Sequence, residues 1–161
     1  GISVSSAGDV NGDGFDDMLI GTRNGQEAYV IFGTDQGFGA DISGRQVIDI
    51  GTLSSTVGFI IESSMGSGRL GASVSSAGDM NGDGFDDLII GADRDDTGGL
   101  NAGMTYVLFG TDAGFGTTDI FGRQIEDVDA LSGSRGQSRG QSTARWFDAA
   151  HARQSRRQDQ R

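Results

Sequence analysis

Two stretches of this 161-residue chain carry side chains spaced for metal chemistry. Asp9, Asn11, Asp13 and Asp17 stand at positions one, three, five and nine of a loop reading D-x-N-x-D-G-x-x-D. Asp79, Asn81, Asp83 and Asp87 repeat the pattern without change. Such spacing suits a tight loop wrapped around one hard cation, with alternate side chains turned inward and a glycine after position five to permit the bend. The backbone carbonyls of Phe15 and Phe85, at position seven, are expected to complete each shell with water. Every ligand offered is an oxygen, which favours Ca²⁺ over zinc or copper, and the octahedral strictness of Mg²⁺ makes it the poorer fit. About two calcium ions are expected.

The plainer alternative is a pair of acidic β-turns that bind nothing. Two complete copies in equivalent places weigh against it. An EF-hand is excluded, because its loop needs a bidentate Glu at position twelve, where this chain has Ile20 and Ile90. Asp16 and Asp86, at position eight, are expected to point outward into solvent, and the Phe15 and Phe85 rings are expected to pack rather than to function.

The elements that position these loops follow from an internal repeat. Ser3–Asp9 and Ser73–Asp79 both read SVSSAGD, and the match runs on through Gly21 and Gly91 at an offset of 70. Tyr29–Gly39 recurs as Tyr106–Gly116, so the second unit carries seven extra residues within Ala92–Thr105. Ile42–Leu53 then recurs as Ile120–Leu131. Short apolar or alternating runs separated by Gly, Asp, Asn and Ser clusters predict β-strands and turns. The expected strands are Ile2–Ala7, Asp17–Gly21, Ala28–Gly33 and Gly58–Glu62, then Ala72–Ala77, Asp87–Gly91 and Met104–Gly110. Residues 1–70 form one unit, and residues 71–132 form a second whose fourth strand is missing or aberrant.

Residues 133–161 differ in kind. They hold seven arginines and two aspartates, a net +5, whereas residues 1–132 hold 21 acids and five arginines, a net −16. Phe147 is the tail's one member of the Leu, Ile, Val and Phe set. Such a segment buries too little apolar area to offset its ordering entropy. It is expected to be a disordered tail, at most with a marginal helix over Ala144–Gln154, and to add nothing to stability.

Composition removes several function classes. The chain has no cysteine, proline or lysine, so a disulfide framework, a thiolate zinc site and a cysteine nucleophile are out. Glycine supplies 29 residues without a three-residue period, which excludes collagen. No apolar run reaches the ~18 residues of a membrane span, and the acidic first part does not suit nucleic acid. The one histidine, His151, lies in the tail, so no Ser–His–Asp site is expected in the folded part. Glu27 and Glu62 lie beside predicted strands with no visible partner. The chain opens on Gly1 and is expected to be a processed form or a piece of something longer.

The loops and their flanking strands resemble the FG-GAP repeat of integrin α-subunit β-propellers, in the form found in large bacterial secreted and surface proteins. Leu70-Gly71 stands where Phe-Gly is usual, and Gly91-Ala92-Asp93 stands for Gly-Ala-Pro; in the first unit the counterparts are Gly1 and Gly21-Thr22-Arg23. The resemblance covers about residues 1–132 and implies an all-β fold of about two four-stranded antiparallel blades, an incomplete ring. It implies that the acidic loop joins the first and second strands on the lower face, and that the second-to-third-strand loop lies on the upper face. There Asp93, Arg94, Asp95 and Asp96, within Ala92–Thr105, would meet a protein or glycan, unless the insertion is an elongated solvated loop. The implied role is a non-catalytic, calcium-binding segment of an extracellular or cell-surface protein, with further blades as neighbours. Alternatives are an accessory propeller of a larger secreted enzyme, phospholipase D-like, and a purely structural repeat without metal.

Overall fold

The computed structural model describes residues 1–22, 26–64, 68–96, 99–130 and 145–148. It is all-β apart from one short 3₁₀ turn at Ile50–Thr52. Three strands of the first unit, β1 (Ser3–Gly8), β2 (Asp17–Gly21) and β3 (Glu27–Ile31), form an antiparallel meander. The next two, β4 (Ala40–Asp41) and β5 (Gln46–Val47), make a small separate hairpin, and β6 (Gly58–Glu62) returns to pair with β3. The second unit repeats this order with β7 (Leu70–Gly78), β8 (Asp87–Ala92) and β9 (Met104–Leu108). Its hairpin is β10 (Thr117–Thr118) with β11 (Gln124–Asp127), and its last strand is β12 (Arg145–Asp148).

The seven strands expected from the sequence are all present, with ends moved by a residue or two. Two features depart from expectation. The second unit does have a fourth strand: β12 lies antiparallel to β9, pairing Trp146 with Tyr106 and Asp148 with Met104. This is the register of β6 on β3, where Ile60 pairs with Tyr29 and Glu62 with Glu27. The helix expected over Ala144–Gln154 is therefore strand at residues 145–148. The edge of β9 offers unpaired N–H and C=O groups, and pairing them outweighs the weak preference of a short isolated helix. The rest of the segment expected to be disordered lies outside the described residues.

The second departure is the path of β10–β11. Instead of staying with its own blade, β11 runs parallel to β6 of the first blade, with Ile125 opposite Ile60. The first sheet thus has six strands in the order β1-β2-β3-β6-β11-β10, and the second has four, β12-β9-β8-β7. The two units interlock through backbone pairing, not through side chains alone.

One apolar core is continuous across both. Leu19, Val30, Phe59 and Ile61 from the first blade pack with Leu70, Leu88, Ile90 and Leu108 from the second. Phe115, carried by the connection that leads into β10, stacks on Phe59 with ring centroids 4.0 Å apart and planes within 8°. Between the blades the backbones approach closely. A Cβ on Gly21 would lie 2.0 Å from the Gly71 carbonyl oxygen, and Gly71 itself has φ +82°. Both positions require glycine for a physical reason, close approach in one case and left-handed backbone in the other. The Ser3 hydroxyl donates to the same Gly71 carbonyl at 3.1 Å.

Gly21→Ala is expected to push the blades apart and cost roughly 1–3 kcal/mol, the usual range for overpacking; chemical denaturation measures it. Truncation after residue 132 is expected to bare the edge of β9 and lower the thermal midpoint. A loss of ~1 kcal/mol would appear as a drop of a few degrees.

Candidate metal centre

Each acidic loop links the first strand of its blade to the second, and each is wound in the same way. In the first, Asp9 Oδ1 accepts from the amides of Gly12 at 2.7 Å and Asp13 at 3.0 Å, while its Oδ2 accepts from Gly14 at 2.9 Å. Asn11 Oδ1 accepts from Asp13 N at 3.0 Å, and Asp13 Oδ1 accepts from Phe15 N at 2.9 Å. The second loop repeats every one of these bonds, with Asp79 serving Gly82, Asp83 and Gly84, Asn81 serving Asp83, and Asp83 serving Phe85. Gly14 and Gly84 take φ values of +91° and +95°, which the bend after position five demands.

The ninth-position aspartates differ from the others. Asp17 and Asp87 are buried, 3% and 0% exposed, at the first residue of β2 and of β8. Asp17 accepts from Val10 N at 3.0 Å and Gly33 N at 2.8 Å. Asp87 accepts from Met80 N at 2.8 Å and Gly110 N at 3.0 Å. One carboxylate thus ties the loop to the far end of the third strand. Burial pushes Asp17 up to about 6, against the two amide bonds that favour its charge; Asp13 and Asp9 raise it further. Asp87 is raised for the same reasons, with Asp83 and Asp79 as the charged neighbours.

These residues fit a hard cation in their chemistry. Three carboxylates per loop feel one another's charge, all donors are oxygens, and a carboxylate oxygen that accepts one amide keeps a second lone pair. Among the described residues, however, no three acidic or histidine side chains converge into a ready-made cage. The exposed carboxylates turn instead onto their own loop amides, and the Asn11 amide donates to Asp13 Oδ2 at 2.9 Å.

Position eight holds what the sequence did not reveal. Asp16 is exposed, as expected, but Asp86 is not a solvated side chain. Its Oδ2 accepts from Asp9 N at 2.9 Å, and its own N–H donates to Asp9 O at 3.1 Å. Nearby, Thr111 N donates to Val10 O at 2.8 Å, and the Phe85 ring covers Gly12, where a Cβ would approach it to 2.4 Å. The first acidic loop is therefore clamped by the second blade. The sequence signal was available only as a repeat: position eight is aspartate in both copies although it faces no ligand of its own loop.

The family model for the FG-GAP repeat matches residues 1–40 and 70–108. These two stretches are FG-GAP repeats. No curated protein matches the chain. The glycines at the FG-GAP name motifs are those of the blade contact: Gly71 follows Leu70, which is fully buried, and Gly21 faces it. In the second FG-GAP unit's insertion, Asp95 is buried, Asp93 pairs with Arg69 at 3.4 Å and Asp96 accepts from Asn101 N at 2.6 Å, while Leu100 is 88% exposed. Glu27, expected to lack a partner, accepts from the Tyr29 hydroxyl at 2.5 Å; burial, and then that contact, pushes the phenol up to about 12. Glu62 faces Glu27 across the β3–β6 ladder; burial and then Asp127 raise its carboxyl. His151 lies outside the described residues.

Two outcomes follow. Asp86→Ala is expected to cost about 1.5–3 kcal/mol, the range for a hydrogen bond to a charged group, whereas Asp16→Ala leaves the denaturation midpoint unchanged. In chelator, Asp17 holds its proton more tightly folded than unfolded, so stability is highest at low pH within this window. It falls as pH rises from the ordinary aspartate range through about 6. The parent is expected to show that fall in thermal scans, and Asp17→Asn a smaller one.

Proposed function

We propose that this chain is a calcium-binding, non-catalytic FG-GAP segment of an extracellular or cell-surface protein, using its upper-face loops to engage protein or glycan. The observation that carries the calcium reading is the buried aspartate at the base of each loop, whose proton affinity is raised by burial and then by two neighbouring carboxylates. A divalent cation held by Asp9, Asn11, Asp13, the Phe15 carbonyl and Asp17 would offset that repulsion. In the second loop the same holds for Asp79, Asn81, Asp83, the Phe85 carbonyl and Asp87. The bound ion would staple the first strand of a blade to the second. Gly110 and Thr111, whose amides hold Asp87 and Val10, follow β9, whereas the Ala92–Thr105 insertion leads into its start, so a ligand on the insertion would leave the acidic loops free.

The supporting chemistry extends to compartment. Dissociation constants of extracellular modules, ~10⁻⁴–10⁻³ M, match calcium levels found outside cells. At a tenfold excess over the dissociation constant each site adds roughly 1.4 kcal/mol of stability. Among the described residues no helix is long and apolar enough to cross a membrane.

Isothermal calorimetry and thermal scans with calcium test this reading. The parent is expected to bind about two ions and to gain stability. Asp13→Ala and Asp83→Ala are each expected to remove one site and to reduce the gain, and Asp16→Ala to do neither. No calcium-dependent stabilisation of the parent, or equal loss from Asp16→Ala, overturns the ligand assignment.

A further inference from the structure

The contact between the blades encloses a cavity of about 260 Å³ beside the first acidic loop. That is a little under the ~300–1,000 Å³ of sites that take drug-sized molecules, so it suits a small ligand or a single side chain. Phe32, Phe59 and Phe115 supply its apolar wall, with ring centroids 4.0–6.3 Å apart. Asn11 and Ser55 of the first unit, with Thr111, Asp112 and Gln124 of the second, supply its polar lining. Every lining residue belongs to one of these two units, so the cavity is made by their own contact and needs no further chain.

The hydrogen bonds already formed decide what this lining still lacks. Asn11 Nδ2 donates to Asp13 Oδ2 at 2.9 Å, and Gln124 Nε2 donates to the Phe115 carbonyl. The two amide oxygens each accept one bond, from Asp13 N at 3.0 Å and from the Thr118 hydroxyl at 3.1 Å, and each keeps a second lone pair. Thr111 Oγ1 accepts from Ala113 N at 3.1 Å. Asp112 adds a carboxylate, acceptor-only when ionised, with no ion pair among the described residues. No lining residue is basic, and residues 1–132 as a whole carry a net −16. The lining is therefore negative and rich in acceptors, set against an aromatic wall. An anion is excluded by charge, and a purely apolar ligand would leave the carboxylate and the amide oxygens unanswered.

We infer that this cavity binds a primary ammonium carried on an apolar stem. An ammonium offers three donors and no acceptor, which complements Asp112 and the Asn11 and Gln124 oxygens. Its methylene stem lies along the aromatic wall, as long cationic side chains lie on apolar surface. A lysine side chain of a partner protein and a free alkylamine both carry this group. The side chains of this protein cannot supply it, because the chain has no lysine. The site lies at the acidic-loop end of the blades, not at the Ala92–Thr105 insertion, and it does not rest on the calcium reading.

Amide shifts of the full, isotope-labelled chain, followed by NMR in chelator, test the site. n-Butylammonium is expected to bind saturably and to move the resonances of Phe32, Ser55, Phe115 and Gln124. n-Butanol, of the same length and without charge, is expected to bind about tenfold more weakly or worse, a comparison that needs no variant. Asp112→Asn is expected to weaken n-butylammonium by about the same factor. Asp35→Asn, which neutralises an exposed acid outside the lining, is expected to leave it unchanged. Tighter binding of N-acetyl-lysine amide than of n-butylammonium supports the site with a partner's lysine as its ligand, and the reverse order supports it with a free amine. Three results overturn the proposal: n-butanol or methyl glucoside binding as tightly as n-butylammonium, Asp112→Asn binding as the parent does, or unsaturable shifts spread over all the exposed acids.

Discussion

A carboxylate buried at the first residue of each second strand fixes where the acidic loop, the second strand and the end of the third strand lie relative to one another. Asp17 does this through Val10 and Gly33, and Asp87 through Met80 and Gly110. Burying a charge is unfavourable unless its hydrogen bonds are met, and here each carboxylate oxygen has an amide. The cost that remains is visible in the raised proton affinity of both groups. That residual cost is what makes a cation at the loop physically sensible, and it is also what locks the loop conformation, because moving the loop would strand the carboxylate.

The same constraint reaches the neighbouring blade. Val10 donates its amide to Asp17, and its carbonyl accepts from Thr111 of the second unit. Asp9 carries the loop's first carboxylate while its backbone N–H and C=O are both taken by Asp86. A loop held on its side-chain face by its own blade, and on its backbone face by the next, has little conformational freedom left. Acidic loop and blade contact are one structure.

Much of this was legible in the sequence because it obeys local rules. The repeated D-x-N-x-D-G-x-x-D marks the loops, the apolar runs after Asp17 and Asp87 mark β2 and β8, and FG-GAP matching falls on those same residues. What escaped was non-local. Gln124–Asp127 reads as part of the second unit, and no local pattern says that it adds to β6 of the first. Asp86 looks like Asp16 in sequence, and only the presence of a neighbour under it makes it a clamp. Arg145–Asp148 has poor strand credentials amid arginine-rich surroundings, and the open edge of β9 supplies the reason for its pairing.

Two nearly identical loops therefore sit in different environments, and the difference isolates what a neighbouring blade contributes. With the second blade over it, the first loop has Val10 fully buried and the Asp9 backbone satisfied by Asp86. The second loop has Met80 55% exposed. Within each loop the hydrogen bonds are the same in both, so the winding is intrinsic to the nine residues and does not need the neighbour. The neighbour instead removes water from one side of the loop and strengthens every charge interaction there. The loop sequence sets the winding, and blade stacking sets the electrostatic environment in which that winding works.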